Sequence, residues 1–367
     1  MAKNGLLSGQ PPSAPDQLRG FLAGDRLCEL AADAARDLIA EGESQNTVRS
    51  YQTALRYWDA WFGLRYGTAI ALPVSVPVVV QFIVDHAERT TKSGLTTELP
   101  APIDQALVAG RFKAALGPPA LATLVQRISV LSKLHQLKRL ANPCRDAVVR
   151  ELLAKTRRAY VKRGVRPNKK PALTLDPLTA LVATCDESLR GIRDRALLLF
   201  AWSSGGRRRS EVTAATCEDL TSVEPGVYTF TLRRSKTNQS GRDTGDDVKP
   251  VTGQAGAALE AWLARSRISS GAVFRRVRSG GVVGEPLSPS AVRRIVKARA
   301  SLAGLGDEFS AHSLRSGFVT EAARQQVPIG ETMAMTGHTS VATVMGYFRA
   351  SSSLLSKGAR LLERDSQ

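Results

Sequence analysis

The most informative segment lies near the C-terminus, at residues 336–349, and reads TGHTSVATVMGYFR. It places a histidine, His338, nine residues before a tyrosine, Tyr347. A free tyrosine has a pKa of about 10 and is a poor nucleophile at neutral pH. Fixed cations around it would favour the phenolate and would make a nearby phosphate more electrophilic. The function of Tyr347 therefore depends on which cationic residues lie upstream.

Two upstream segments supply such cations. Residues 204–212 read SGGRRRSEV, and residues 311–315 read AHSLR. In the second segment His312 precedes Arg315 by three residues, a spacing that puts both side chains on one face of a helix. Arg315 offers a planar fork of donors that suits a two-pronged phosphate contact, which lysine cannot imitate.

The three consecutive arginines of the first segment raise the question of which one faces the site. If they lie on a helix, neighbours point about 100° apart, so only one of the three can face a given phosphate. Glu211 follows Arg208 by three residues and is expected to orient an arginine rather than to perform acid–base chemistry. Arg207 and Arg209 are then interpreted as contacts to a nucleic-acid backbone or as solvated charges.

The charge of the chain indicates a polyanionic partner. Its 367 residues carry a net charge of +18, with an isoelectric point near 10.3. Residues 1–150 hold 17 basic and 13 acidic residues, whereas residues 151–367 hold 34 basic and 20 acidic ones. DNA, RNA and an acidic membrane surface all fit such an excess, and the second half of the chain is the main candidate for binding.

The cysteines and the apolar runs exclude several classes of protein. The four cysteines contain no CxxC pair, so neither a metal site nor a disulfide framework is expected. Residues 71–84 are apolar but too short for a membrane span, and Pro73 and Pro77 interrupt them. The N-terminus lacks the apolar core of a signal peptide. We expect a soluble, cytoplasmic protein without a membrane partner.

The first half of the chain has the pattern of a helical domain, residues 21–160, after a flexible tail, residues 1–20. Apolar residues recur at spacings of three and four from Ser44 onward, which predicts a first helix that ends at Gly63 or Gly67. Three further helices are predicted, one after Pro77, one over residues 103–115 and one over residues 120–140. No strand pattern interrupts this region.

A basic linker, residues 161–172, separates this domain from a second one, residues 173–350. Residues 155–170 hold eight basic and no acidic residues, and Gly164, Pro167 and Pro171 should break any long helix there. A solvated linker and a segment that contacts phosphates are compatible interpretations, and we expect phosphate contact.

The second domain is predicted to be mainly α with a small antiparallel β-sheet. A helix should follow Asp176 as its cap, with Pro177 at its first position. A buried helix is expected over residues 195–202, and strands over residues 227–233 and 248–251 flank a polar turn. Another helix should begin at Ser288-Pro289, with its basic residues turned outward: Arg293, Arg294, Lys297 and Arg299.

Taken together, these segments resemble the catalytic motifs of the tyrosine recombinase (phage integrase) family in order and spacing. Residues 204–212 are similar to the family's Gly-x-Arg-x-Ser-Glu segment, which selects Arg208. Residues 312–315 match its His-x-x-Arg, and the nine-residue separation of the late histidine and tyrosine is the usual one. A lysine at the end of a strand that enters a polar hairpin corresponds to the family's lysine. The resemblance therefore implies a catalytic set of Arg208, Lys236, His312, Arg315, His338 and Tyr347.

The resemblance also implies a fold and a reaction. A helical core-binding domain and the catalytic domain would form a C-shaped clamp on double-stranded DNA that carries specific recombination sites. Tyr347 would form a 3′-phosphotyrosine, Lys236 would protonate the departing 5′ oxygen, and strand exchange would pass through a Holliday junction in a homo-tetramer. Residues 351–367 are a C-terminal tail and a candidate inter-subunit helix. No metal, ATP or other cofactor is implied, and an accessory protein is a further candidate partner.

Two other classes fit parts of the same pattern. A type IB topoisomerase uses similar chemistry as a monomer, but the helical first domain and the His312–Arg315 pair favour a recombinase. A non-catalytic DNA-binding regulator could keep the fold, but it would not need an intact tyrosine with both histidines and both arginines. Integration, excision and resolution share one active site, so the sequence does not distinguish them.

Overall fold

A computed structural model of the chain describes residues 45–165, 170–233, 247–306 and 308–352. The predicted tail over residues 1–20, Lys236 with most of the polar turn, and residues 353–367 lie outside the described residues. The chain divides after Pro167 into two compact units, here called the N-terminal and the C-terminal unit. Each of them has its own hydrophobic core.

The described part of the N-terminal unit consists of helices and one short hairpin. Its helices are α1 (Gln45–Tyr66), α2 (Val76–His86), α3 (Ala101–Ala109), α4 (Leu121–Leu137) and α5 (Ala147–Lys162), and the hairpin is β1 (Arg89–Thr91) with β2 (Gly94–Thr96). Its core is rich in aromatic rings: Trp58 stacks on Phe82 with ring centroids 3.6 Å apart, and Trp61 meets the same ring edge-on. The spacing of three and four along α1 brings Trp58 and Trp61 to one face, where both contact Phe82 of α2.

Three predictions for this unit were wrong in detail. The hairpin of β1 and β2 interrupts the region that was expected to be purely helical, and α3 ends at Ala109 rather than at residue 115. Helix α5 continues to Lys162, so the first half of the basic stretch is helix rather than linker, although the helix ends before Gly164, as predicted. The Asp146 side chain begins α5 by accepting a hydrogen bond from the Val148 amide at 2.8 Å.

The C-terminal unit is mainly helical, with two small antiparallel sheets in its described part. Its helices are α6 (Leu175–Ala183), α7 (Leu189–Ser203), α8 (Arg209–Ala214), α9 (Gly253–Ser266), α10 (Pro289–Leu302), α11 (Ala311–Arg324), α12 (Ile329–Thr336) and α13 (Val341–Ser352). The strands are β3 (Leu220–Glu224), β4 (Val227–Thr231), β5 (Val248–Val251), β6 (Arg275–Val277) and β7 (Val283–Pro286). Strand β4 lies between β3 and β5, and β6 pairs with β7. One small sheet was predicted for the whole chain, whereas the described residues form three.

The core of the C-terminal unit forms around α7, which packs against α9 and α11. Alternation along β4 turns Tyr228 and Phe230 inward, as predicted, and Phe230 meets Phe200 of α7 at 5.0 Å between centroids. Helix α10 begins as predicted, because the Ser288 hydroxyl accepts a hydrogen bond from the Ala291 amide at 3.3 Å.

Two side-chain predictions in this unit were also wrong. Helix α6 is capped at Thr174, so Pro177 occupies its third position and Asp176 its second. Arg299 of α10 does not point outward: it is buried and donates to the Asp194 carboxylate at 2.7 Å and to the Thr184 carbonyl at 2.6 Å. A basic side chain can be buried in the core when a carboxylate from another helix forms an ion pair with it. None of the helices in the described part of the chain has the length and apolar character that a membrane crossing needs.

Candidate active site

The site is built around the turn Gly205-Gly206, which leads from α7 toward α8. Both residues have positive φ, 98° and 67°, a region that glycine adopts without strain. A Cβ on Gly205 would lie 2.1 Å from the Met335 carbonyl oxygen, and one on Gly206 would lie 2.4 Å from Cα of Arg315. Only glycine therefore lets α11 and the end of α12 approach this turn.

Arg208 is held at the start of α8 by Glu211. It is the N-cap residue, and its amide and Nη1 donate to the two Glu211 carboxylate oxygens at 3.0 Å and 2.5 Å. Its side chain keeps 25% of its surface exposed, whereas that of Glu211 is 4% exposed. Glu211 thus fixes a guanidinium that still reaches solvent, which is the orienting contact that the sequence predicted.

The other two arginines differ from the expectation that all three lie on one helix. Arg209 is the first helical residue and is exposed. Arg207 precedes the helix, and its side chain is fully buried, so it is neither a contact to DNA nor a solvated charge. Its Nη2 donates to the carbonyls of Gly205, at 3.3 Å, and of Met335, and its Nη1 lies 3.8 Å from Glu211.

Helix α11 supplies His312 and Arg315. Arg315 is buried, and its guanidinium donates to the Gly206 carbonyl at 3.3 Å and to the Thr336 carbonyl at 2.6 Å. Burial, and then the charges of Arg208 and Arg207, lower the pKa of Arg315 to about 10, which leaves it charged at neutral pH. His312 is exposed, and desolvation followed by the charges of Arg315 and Arg208 lowers its pKa below the usual value.

His338 stands just past the end of α12, after Gly337 in the left-handed conformation. Its Nδ1 lies 2.7 Å from the Thr336 hydroxyl oxygen, and that hydroxyl also lies 2.7 Å from the Thr332 carbonyl. The carbonyl can only accept, so the hydroxyl donates to it and accepts from Nδ1–H. Nε2 of the neutral ring is then the free acceptor. Burial, and then the charges of Arg315, Arg208 and Arg207, lower the pKa of His338 to about 4.

Tyr347 lies on α13, which packs against α11 and α12, and its side chain is half-buried. A negative charge on its phenol oxygen would raise the pKa of Arg315, and the charge of Arg315 lowers the pKa of both histidines. The structure therefore brings together five of the six residues predicted for the site, namely Arg208, His312, Arg315, His338 and Tyr347. Lys236 lies outside the described residues. Their catalytic roles stay predictions.

Three further residues at the site were not foreseen as such: Arg207, Thr336 and Lys249. Lys249 of β5 is buried and its Nζ donates to the Ala334 carbonyl at 2.5 Å. Side chains alternate along β5, so that Lys249 and Val251 both point inward. This two-residue alternation is the sequence signal that could have identified Lys249 as a buried residue. Among the residues that the structure describes, no group of three or more His, Cys, Asp and Glu side chains is placed to bind a metal ion.

Comparison with known proteins gives a family match for the C-terminal unit. Residues 171–353 match the phage integrase family. An integrase/recombinase xerD homolog of Selenomonas ruminantium is 29% identical over 321 residues, covering 85% of this chain and 84% of that protein. The tyrosine recombinase XerC of Xanthomonas campestris pv. campestris (strain B100) is 30% identical over 185 residues, which are 49% of this chain and 52% of the relative. The chain thus spans only about half the length of that second relative.

A solved structure of similar fold is that of the XerH site-specific recombinase bound to palindromic difH substrate, in a post-cleavage complex. The TM-score is 0.54 at 17% sequence identity, and the match covers 92% of this chain and 84% of that one. This likeness extends the shared fold beyond the C-terminal unit. Because its C-terminal unit matches the family over residues 171–353 and carries the motifs of the site, the chain belongs to the phage integrase family of tyrosine recombinases.

Proposed function

We propose that this protein is a site-specific DNA recombinase that cuts and rejoins DNA through a 3′-phosphotyrosine intermediate. The observation that carries the proposal is the gathering of two fixed guanidiniums, those of Arg208 and Arg315, with two histidines beside Tyr347. Such a set binds the two non-bridging oxygens of a phosphodiester and sets a hydroxyl beside its phosphorus. Positioning and charge stabilisation are the main contributions that a phosphoryl-transfer site makes.

The reaction has two balanced steps. In the first, the Tyr347 hydroxyl gives up its proton as its oxygen bonds to phosphorus, the bond from phosphorus to the 5′ oxygen breaks, and the 5′ oxygen takes up a proton. In the second, a 5′ hydroxyl attacks the phosphotyrosine, which regenerates the phosphodiester and the phenol. The energy of the ester is kept throughout, so the chemistry needs neither ATP nor a metal ion. Lys236 is assigned as the acid for the departing 5′ oxygen.

The histidines are assigned to proton transfer and to charge stabilisation. With a pKa of about 4, His338 is neutral in the DNA-free protein, and its Nε2 accepts rather than donates. A bound phosphodiester anion offsets the positive field of Arg315 and Arg208, which raises the pKa of His338 and lets it donate to a phosphate oxygen. His312, more exposed than His338, moves the proton at the nucleophile.

The partner is double-stranded DNA with specific recombination sites, recognised by a homo-tetramer. The XerH structure in the comparison is a complex with a DNA substrate, and the net charge of +18 supports a polyanionic partner for this chain. A synaptic tetramer with a Holliday junction, a C-shaped clamp, and an accessory protein are the finer parts of the proposal.

A type IB topoisomerase is the second candidate, because its chemistry uses the same residue types. The XerD homolog that matches 85% of this chain favours the recombinase. The two candidates differ in one measurable respect: a topoisomerase relaxes supercoiled DNA as a monomer, whereas a recombinase joins strands from two sites. A regulator that only binds DNA would do neither.

The experiment begins with a DNA site selected from a randomised duplex library by binding to the Tyr347→Phe variant. Two copies of that site are then placed on one supercoiled plasmid and incubated with the wild-type protein, with and without EDTA. The proposal predicts recombinant circles in both conditions, and none from a plasmid with a single site. Relaxation without recombinants would favour the topoisomerase, and cleavage that EDTA abolishes and magnesium restores would contradict the mechanism.

A further inference from the structure

The C-terminal end of α12 is covered by cations from three different elements. Its last three residues are Ala334, Met335 and Thr336, and each of their carbonyls accepts a hydrogen bond from a different side chain. Lys249 of β5 donates to Ala334 at 2.5 Å, Arg207 donates to Met335, and Arg315 of α11 donates to Thr336 at 2.6 Å. Carbonyls of a last helical turn have no amide partner inside the helix, so they need partners from elsewhere.

Burial distinguishes this arrangement from ordinary surface capping. Lys249, Arg207 and Arg315 are 3%, 1% and 4% exposed. Removing three charges from water is costly, and cations are stabilised at a helix C-terminus, where the partial negative charge of the helix lies. Glu211 adds a carboxylate 3.8 Å from Arg207. A cluster of this kind holds the end of α12 in one place relative to the Gly205-Gly206 turn.

The position of this helix end matters because His338 is attached to it. Gly337 and His338 come directly after Thr336, and Nδ1 of His338 bonds to the Thr336 hydroxyl, one residue from the Met335 carbonyl. A shift in the last turn of α12 therefore moves the imidazole. Misplacement of a reacting group by about 1 Å can cost about a hundredfold in rate.

We propose that Lys249 and Arg207 are positioning residues for His338, acting through the carbonyl end of α12. Neither is assigned a phosphate contact, because the Arg207 side chain is 0% exposed and the Lys249 ammonium donates to the Ala334 carbonyl, whereas the Arg208 side chain keeps 25% of its surface exposed. Arg315 has two roles: it caps the end of α12, and in the proposed reaction it contacts the phosphate. The catalytic part of this inference rests on the proposed function, whereas the structural part does not.

The structural part is tested without DNA by hydrogen–deuterium exchange. Lys249→Met and Arg207→Leu each remove the donor and keep an apolar stem. We expect exchange of the amides over residues 333–340 to become at least about tenfold faster in each variant, with α6 and α9 unchanged. Unchanged exchange over residues 333–340 in both folded variants would overturn the proposal, whether or not the protein is a recombinase.

The catalytic part is tested by double-mutant cycles on a nicked duplex that carries the selected site. Lys249→Met and Arg207→Leu should each slow formation of the covalent complex about tenfold or more when His338 is present. In a His338→Ala background, the same changes should slow it less than about twofold, because the group that they position is gone. Lys249→Arg, which keeps a donor, should restore part of the rate.

Arg299→Met is the matched control, since Arg299 is a buried cation that bonds to Asp194 and the Thr184 carbonyl rather than to α12. Its effect on rate should be the same with and without His338. If Lys249→Met and Arg207→Leu slow the reaction by the same factor with and without His338, as the control does, then Lys249 and Arg207 only support the fold in general. The proposal is then wrong. Failure of both variants to fold would contradict it in the same way.

Discussion

At the scale of single residues, the state of His338 depends on Thr336. The Thr336 hydroxyl donates to the Thr332 carbonyl and so can only accept from Nδ1 of His338, which leaves Nε2 for the substrate. A residue outside the expected catalytic set thereby fixes both the orientation and the tautomer of one inside it.

Replacing Thr336 by valine tests this dependence, because valine keeps the shape and removes the hydroxyl. One hydrogen bond has a net value of about 1 kcal/mol, so covalent-complex formation should fall about five- to tenfold. Thr336→Ser keeps the hydroxyl and should stay within about twofold of wild type. The rates are measured as a function of pH, and the valine variant should also show a shifted acid limb. Equal rates for valine and serine would show that the hydroxyl has no such role.

The depressed pKa of His338 also predicts how stability depends on pH. Between pH 6.5 and 4 the imidazole takes up a proton in the unfolded chain but stays neutral in the folded one. The unfolded state then binds more protons, so the free energy of unfolding falls as the pH falls through this window. His312 contributes in the same direction. His338→Gln should weaken the pH dependence, as measured by urea unfolding at pH 7 and pH 5. An identical pH dependence in the variant would contradict the burial of the ring among cations.

At the scale of elements, the Gly205-Gly206 turn decides how closely α11 and α12 approach α7. Gly206 has φ 67° and no room for a Cβ, whereas Gly304, after α10, has φ 70° and open space around it. The two glycines share the same backbone strain on substitution but differ in the clash.

Gly304→Ala should therefore cost only about 1–2 kcal/mol in the free energy of unfolding, the cost of the left-handed conformation for a residue with a Cβ. Gly206→Ala should cost more, because Cα of Arg315 must move away, and it should also abolish cleavage. Measuring denaturant unfolding and covalent-complex formation for both variants separates the cost of the backbone strain from the cost of the clash. Equal stability and activity would mean that α11 adapts to the added methyl group.

The sequence correctly predicted the helices and strands that interactions between neighbouring residues determine. The Ser288 cap and Pro289 start α10, and the alternation of Tyr228 and Phe230 forms β4, both as predicted. The residues that were misjudged have partners that are distant in sequence: Arg207 bonds to Met335, and Arg299 bonds to Asp194. A buried cation cannot be told from a solvated one until the element that neutralises it is in place.

At the site, too, a residue outside the motifs, with a partner distant in sequence, was not predicted. The order of motifs selected Arg208, His312, Arg315, His338 and Tyr347, and the structure brings these five together. Lys249 has no motif signal, and only its inward register on β5 and its contact with the end of α12 give it a role. Glu211, which holds Arg208 in place, could be found because it lies in a motif, whereas Lys249 lies outside every motif.

At the scale of the whole molecule, the basic stretch before the second unit is divided between structure and surface. Arg163 donates to the Glu88 carbonyl at 3.0 Å and lies over the Tyr160 ring at 4.4 Å, so it supports the N-terminal unit. Arg157, Arg158 and Lys162 of α5 are exposed and remain available to phosphates.

Changing these three exposed residues to glutamine should weaken DNA binding about equally on all sequences. It should also reduce the slope of log affinity against log salt by about 2–3, since each phosphate contact contributes about 0.9. A variant that removes three exposed charges elsewhere, at Arg265, Arg267 and Arg276, serves as the control and should leave the slope nearly unchanged. Equal slopes in the two variants would show that α5 is not part of the interface with DNA.

The most direct test of the account is whether the Tyr347 oxygen becomes linked to DNA. A nicked duplex that carries the selected site is incubated with wild-type protein, with Tyr347→Phe, and with Tyr228→Phe as a control on β4. The account predicts a covalent protein–DNA band on a denaturing gel for the wild type and the control, and mass spectrometry should place the DNA on Tyr347. The Tyr347→Phe variant should bind the duplex with unchanged affinity and give no band. A covalent band from Tyr347→Phe would contradict the assignment of the nucleophile and, with it, the mechanism.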